Sequence, residues 1–265
     1  MISASDSFFD LFCWRMAGFW LKWLFRRTGP MKRFHHKFTL PAILTLLVLA
    51  IAGLLIGYFN YEKQTTLPPN SNSSAIGVEL NQSQDYVDLH KLQANGVSFV
   101  YLKATQGRSY FDDDFLSYRD QILGTQLAYG VIVTYSNEST SNQHYRYFLK
   151  KVGRNTGTLP ILIRPASSST SSKYLRSIGR FAGMLKQLGK PVMVEENYKY
   201  HGYFPQGTLF MKTGNKAANK LKYSFWQYTT DGRVKNVSSL DQGVTMVTYN
   251  GTVQQYKQKY GQLTQ

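Results

Sequence analysis

Carboxylates are scarce in this chain, 15 Asp and Glu against 31 Lys and Arg in 265 residues, so the few that close apolar runs stand out. Glu79 stands near the end of IGVEL, and Glu195 and Glu196 follow PVMV. A glutamate set among apolar strand residues has its pKa raised by desolvation and can keep a proton for transfer. Glu195 opposite Glu79 would make such a pair. The competing arrangement is a charge-balanced pocket, with Glu195 neutralised by Arg164 or Lys212; it asks less of the chain and is favoured. Arg164 is permanently charged, so wherever it points it fixes a positive centre. Asp112, Asp113 and Asp114 read as a helix start, where carboxylates meet the positive end of the dipole, rather than as a metal loop. Asp241 reads as a loop residue. His35, His36, His90, His144 and His201 show no ligand spacing with acids and read as surface histidines. The single cysteine, Cys13, excludes an internal disulfide framework and any all-cysteine metal site. No glycine-rich phosphate loop follows a strand run. No metal and no cofactor are expected.

The elements that must position these groups are legible as alternation. With 43% apolar and 17% charged residues the chain is not disordered in bulk. Short β-branched and aromatic runs recur from residue 75: IGVEL at 76, VSFVYLKA at 97, LAYGVIVTY at 127, LPILI at 159, PVMVE at 191, TLFM at 208, YSFWQY at 223 and VTMVTY at 244. Helical stretches lie between several of them, at Tyr86 to Gln93, Asp113 to Leu123, Ser141 to Val152 and Lys173 to Leu188. Strands alternating with helices predict a parallel sheet of βα units, and eight strands in this length suit a compact TIM-like βα barrel. Chemistry in such a barrel sits at the C-terminal strand ends. Those ends are Glu79, Lys103 to Thr105, Tyr135, Arg164 to Ala166, Glu195, Lys212, the Trp226–Tyr228 run and Thr245 to Tyr249.

Ahead of the barrel the organisation is that of a membrane protein. Leu40 to Phe59 is twenty residues without a charge, ~30 Å as a helix, which matches a hydrocarbon core. Five basic residues between Arg26 and Lys37 precede it, and only Lys63 follows closely. This bias places the N-terminus in the cytoplasm and the C-terminal part outside. No small-residue cleavage site follows Gly53, so an uncleaved anchor is expected rather than a signal peptide. The expected divisions are a basic, aromatic-rich cytoplasmic segment 1–37, a transmembrane helix 38–59, a Pro/Ser/Asn-rich linker 60–74 and a folded domain 75–265. The formal charge of +16 divides into 7 − 2 for residues 1–37 and 24 − 13 for the rest. The first segment either lies in the cytoplasmic interface or precedes a true start at Met31; both readings stay open.

The strand ends also carry a resemblance. GVELNQSQ at 77, GVSFVYLKATQG at 96, AYGVIVTYS at 128, FWQYTTDGRV at 225 and VTMVTYNG at 244 resemble, in order, the motifs of the family-25 glycoside hydrolases, the muramidases of the peptidoglycan glycan strand. The resemblance spans nearly all of 75–265 and implies a lysozyme-type βα barrel. It also implies a set of carboxylates, which this chain departs from. The family's opening Asp corresponds to Glu79. Its D-x-E at the fourth strand falls on Arg164, Pro165 and Ala166, and its closing Asp on Thr245. The family's third-strand Tyr and His match Ile132 and Val133, and a small strand residue matches Lys212. Glycoside hydrolysis needs a proton donor and a second group for the oxocarbenium-like centre. Ala166 cannot donate, and Arg164 would oppose a developing cation.

The expectation is therefore a membrane-anchored, outward-facing muramidase-like domain that binds peptidoglycan or an anionic wall polymer with little or no hydrolysis, as a scaffold or regulator of wall enzymes. Trp226, Tyr228, Tyr135, Tyr198 and Lys212, with Tyr200 beside them, are the expected glycan contacts, since aromatic faces suit sugar C–H faces. Two alternatives are an active muramidase using Glu79 and an unrecognised acid such as Glu195, and a protein-interaction domain whose groove is closed by an Arg164–Glu salt bridge. A carboxyl pair ~5–9 Å apart would mark hydrolysis. No nucleic-acid partner is expected on the outer side of a membrane.

Overall fold

The computed structural model describes residues 39–62, 64–69, 75–84 and 86–261. It divides into two compact units, 1–59 and 60–265. The segment 1–37 expected to be cytoplasmic, with Cys13, His35 and His36, and residues 70–74 of the expected linker lie outside the described residues.

In the first unit, helix α1 (Thr39–Glu62) holds an uninterrupted apolar stretch, Leu40–Tyr58. Its leucines and isoleucines are exposed on all sides, and nineteen such residues are ~28 Å, long and apolar enough to cross a membrane. Pro41 sits in the first turn, where its missing N–H costs no helical bond.

In the second unit each strand run of the sequence forms a strand. The strands are β1 (Ile76–Leu80), β2 (Val97–Gln106) with a two-residue hairpin partner β3 (Tyr110–Phe111), β4 (Ala128–Tyr135), β5 (Ile161–Pro165), β6 (Val192–Glu195), β7 (Leu209–Thr213), β8 (Phe225–Gly232) and β9 (Val244–Tyr249). The sheet order is β1-β9-β8-β7-β6-β5-β4-β2-β3, and a further β1–β2 pairing closes eight strands into a barrel. Closure removes the sheet edges that an open sheet would expose. Pairing is parallel from β1 through β2 and β4 to β8. The wholly parallel sheet expected from the sequence is corrected at β9, which runs antiparallel to both β8 and β1. A parallel connection needs a long crossover, and only a single 3₁₀ turn separates β8 from β9.

Helices α2 (Leu89–Ala94), α3 (Phe115–Ile122), α4 (Ser141–Lys151) and α5 (Ser172–Lys186) cover the parallel strands. Three of these four starts carry side-chain caps; Asp114, at the start of α3, makes none. Asp88 caps α2, Thr140 forms a capping box with Gln143 on α4, and Ser171 caps α5. No helix lies between β6 and β7; the 3₁₀ segment Tyr198–Tyr203 takes that place. Gly179 lets α5 come against it, since a methyl there would lie 2.0 Å from the Tyr203 carbonyl oxygen. A helix not read in the sequence, α6 (Val253–Tyr260), closes the chain.

The core has two shells, as strand alternation requires. Phe99, Tyr101, Ile132, Leu162, Met193, Met211, Phe225 and Val247 fill the barrel interior. The alternate strand residues, such as Val100, Val131, Ile163, Val194 and Trp226, pack outward under the helices. Thr65 and Thr66, in the segment expected to be linker, are hydrogen-bonded to the barrel. Thr66 N–H donates to the Arg233 carbonyl at 2.9 Å, and Arg233 N–H and Lys235 N–H donate to the Thr66 and Thr65 hydroxyls. The Tyr228 hydroxyl donates to the Thr66 carbonyl at 2.8 Å.

Candidate functional site

The interior layer fixes what can face the barrel mouth. Counting two residues beyond it along four of the parallel strands gives Thr134 from Ile132, Arg164 from Leu162, Glu195 from Met193 and Gln227 from Phe225; Glu79 holds the matching place on β1. On antiparallel β9 the count runs backwards, from Val247 to Thr245. The β1–β9 register, Gly77 with Val247 and Val78 with Met246, continues to place Glu79 opposite Thr245.

Arg164 is the hub of this layer. Its Nη1 and Nη2 donate to Glu79 Oε2 at 2.9 Å and Oε1 at 2.8 Å, a bidentate pair. Its Nε donates to Glu195 Oε2 at 2.5 Å, and Nη2 also reaches Gln227 Oε1 at 3.2 Å. The Glu79 side chain is 6% exposed, Glu195 19% and Arg164 27%. Two carboxylates around one guanidinium leave one negative charge, and the pKa directions follow. Burial works against the Arg164 charge, but Glu79 first and then Glu195 outweigh it and hold its pKa above the ordinary value. Burial raises the Glu195 carboxyl; Arg164 opposes the rise and Glu79 adds to it. Both acids meet the same cation, Glu79 through both oxygens and Glu195 through Oε2.

The sequence-derived sites divide accordingly. Glu79, Arg164 and Glu195 come together, and Arg164, not Lys212, is the partner of Glu195. Lys212 donates instead to the Lys216 and Ala217 carbonyls outside the barrel. Ala166 is exposed just beyond β5, its N–H donating to the Tyr135 carbonyl at 2.8 Å. Three expected glycan contacts are corrected, since they face the outer shell: Trp226 is 3%, Tyr228 5% and Tyr135 2% exposed. Their polar atoms are also taken, Trp226 Nε1 by the Gly214 carbonyl and the Tyr135 hydroxyl by Ser141. They offer no face to a sugar. Tyr198 and Tyr200 are half-buried in the 3₁₀ segment after β6, with Tyr198 stacked on His201 at 4.9 Å. Glu196 accepts from the Asn197 N–H.

Gln227 and Thr134 are mouth residues that sequence reasoning did not single out. The signal for Gln227 was available, since in FWQYT it alternates with Phe225, not with Trp226. Two corrections concern groups set aside as surface or helix-start residues. Asp112 is buried and accepts from Gln82 N–H, Asp114 N–H and the Tyr110 hydroxyl, so it braces the loop after β1. Its pKa is raised by burial against those bonds. His144 is 1% exposed and stacked on Tyr135 at 4.3 Å, so it is a core histidine rather than a surface one.

A closed eight-strand barrel with mixed pairing, flanked by helices and carrying its polar layer at the parallel strands' C-terminal ends, is the architecture of a lysozyme-like glycosidase. The family model for glycosyl hydrolases family 25 matches residues 78–237, and the chain belongs to that family. A family 25 glycosyl hydrolase from Bacillus anthracis superposes with a TM-score of 0.61 at 16% identity, covering 74% of this chain and 97% of that one. The bacterial lysozyme from Streptomyces coelicolor gives 0.57 at 20% identity, covering 70% and 96%. The spore cortex lytic enzyme of Clostridium perfringens gives 0.56 at 15% identity, covering 70% of each chain. At these identities the likeness is one of fold. No curated protein sequence matches the chain.

Proposed function

We propose that this chain is a membrane-anchored, outward-facing member of its family that binds the peptidoglycan strand without cleaving it, as a scaffold or regulator at the wall. The observation that carries this reading is Arg164, bidentate on Glu79 and bonded to Glu195. A retaining or inverting glycosidase needs one carboxyl free to give a proton and a second facing the anomeric carbon. Here the guanidinium is bonded to both candidate acids, so neither is left free to face a sugar. Ala166 and Thr245, at the positions where the family resemblance expects acids, supply no replacement. The orientation rests on the basic residues before α1, and the glycan contact is left to the rim, where Tyr198 and Tyr200 keep partly open faces.

The active alternative, with Glu79 and Glu195 as the carboxyl pair, requires Arg164 to leave. The test is muropeptide release by the full chain in a mild detergent from isolated peptidoglycan. New reducing ends are read by mass spectrometry beside E79Q and R164A variants, with co-sedimentation as the binding readout. The expected result is co-sedimentation with no release above E79Q. Release by the parent that disappears in E79Q would overturn the proposal.

A further inference from the structure

The charge of the barrel domain is segregated by sector. Residues 75–138 hold 4 basic and 8 acidic side chains, residues 139–194 hold 10 and none, and residues 195–265 hold 9 and 4. The middle sector therefore carries +10 of the domain's +11. It comprises the end of the β4 loop, α4, β5, α5 and most of β6. Of its ten cations Arg164 is turned inward and paired. Arg146, Lys150 and Arg154 on and just after α4, with Lys173, Arg176 and Arg180 on α5, are exposed and have no carboxylate partner among the described residues.

These two sets lie on neighbouring helices, since α4 and α5 pack against each other. On α5 the spacing of 3 and 4 lines Lys173, Arg176 and Arg180 along one stripe, opposite the buried Leu175, Ile178 and Leu185. Like charges at that spacing repel, and a surface built for stability and solubility interleaves both signs. A polar cleft of about 530 Å3 opens between the N-terminal ends of the two helices. Ser139, Thr140, Ser171, Lys173 and Arg180 line it, and so does one carboxylate, Glu138. Hydroxyls and cations together are donors for phosphate oxygens, and a row of them fits a repeating anion. Thr65 and Thr66 join the domain at β8, and β4 lies across the closed barrel from β8. The basic sector is thus on the side remote from that attachment, which suits an extended polymer.

We propose that the α4–α5 face binds a linear anionic phosphodiester polymer of the glycerol-phosphate type. The proposal rests on the outward-facing reading above for its partner, but its site is separate from the barrel mouth. The test holds the full chain in phosphatidylcholine nanodiscs and titrates a glycerol-phosphate polymer of defined length at several salt concentrations. Parent, K173Q/R176Q/R180Q and a control, K257Q/K259Q on α6, are compared, with thermal melts to verify folding. The parent's affinity is expected to fall steeply with salt, and the triple variant's to be at least ~10-fold weaker at low salt. The log–log salt slope of the triple variant should be smaller by roughly 2, since each lost phosphate contact removes ~0.7–0.9. The control should stay within about 2-fold of the parent. Equal binding by parent and triple variant, or an equal loss in the control, would overturn the assignment. So would a parent that ignores the polymer and binds phosphatidylglycerol vesicles instead. Co-sedimentation with peptidoglycan stripped of its anionic polymers keeps the two ideas apart. Failure there with intact polymer binding removes the glycan reading and leaves this one standing.

Discussion

Arg164 makes the burial of two glutamates tolerable. Ionised carboxylates at 6% and 19% exposure are costly unless paired and hydrogen-bonded. Removing the guanidinium alone strands both charges. R164A is therefore expected to lower stability by about 3–5 kcal/mol, read as a shifted urea midpoint. Replacing the three together, R164M with E79L and E195L, should restore most of it, because a well-packed apolar cluster is often as stable as a buried ion pair. A loss below ~1 kcal/mol in R164A would mean that water already solvates the cluster. Glu195 adds a pH dependence. Its folded pKa is raised, burial being the largest cause, so the folded state binds this proton more tightly than the unfolded chain does. That contribution is present below the unfolded pKa and is lost as pH rises through the folded one. E195Q has no such proton. The melting temperature of the parent minus that of E195Q should therefore increase as pH falls from about 7 to about 4. A difference that is flat or shrinks would contradict the burial of Glu195. At this scale the two glutamates and Arg164 were legible because each stands at or near the end of an apolar run. Their three-way contact was not, because an Arg164–Glu195 pair and an Arg164–Glu79 pair read alike in the sequence, and only the strand stagger brings both within reach of one fork.

Strand phase decides which residue of a run faces the mouth, and this is where sequence reading erred. In FWQYT, TLFMK and VIVTY the conspicuous side chains, Trp226, Tyr228, Lys212 and Tyr135, share the outward phase. The plain ones between them, Gln227 and Thr134, point inward. Hydrophobic alternation cannot set the phase when both faces are buried, as in a barrel sheathed by helices. The eight strand runs were legible for that same reason, being nearly continuous apolar stretches. Helix α6 was not, although Thr252 and Gln255 form the capping box that announces it, because its Tyr256 and Tyr260 give too short a stripe to recognise. The segment read as linker has a structural part too. Thr65 and Thr66 make four hydrogen bonds to β8 and the turn after it, and they satisfy the Tyr228 hydroxyl. A soluble piece that begins at residue 75 loses all four and leaves that hydroxyl only the weak Met246 Sδ acceptor. Compared with a piece beginning at residue 64 it should be less stable by about 3 kcal/mol, at ~1 kcal/mol per bond less what water restores. Equal melting temperatures for the two pieces would show that the segment adds nothing.

At the scale of the whole molecule, a lysozyme-type barrel and an apolar helix of membrane length occur in one chain, and the function proposed here depends on which side of the bilayer the barrel faces. The basic residues cluster before α1, so inward retention of the N-terminus is the expected orientation. The chain offers a clean test because Cys13 is its only cysteine. Ser168, in the exposed turn after β5, accepts a second reporter, S168C, in a C13S background. A membrane-impermeant maleimide applied to intact cells should label S168C and leave Cys13 of the parent untouched until the membrane is opened. Labelling of Cys13 first, with S168C protected, would place the barrel in the cytoplasm. That outcome would remove the wall strand and its anionic polymers as partners. It would leave Arg164 and the basic α4–α5 sector to be explained by an intracellular polyanion.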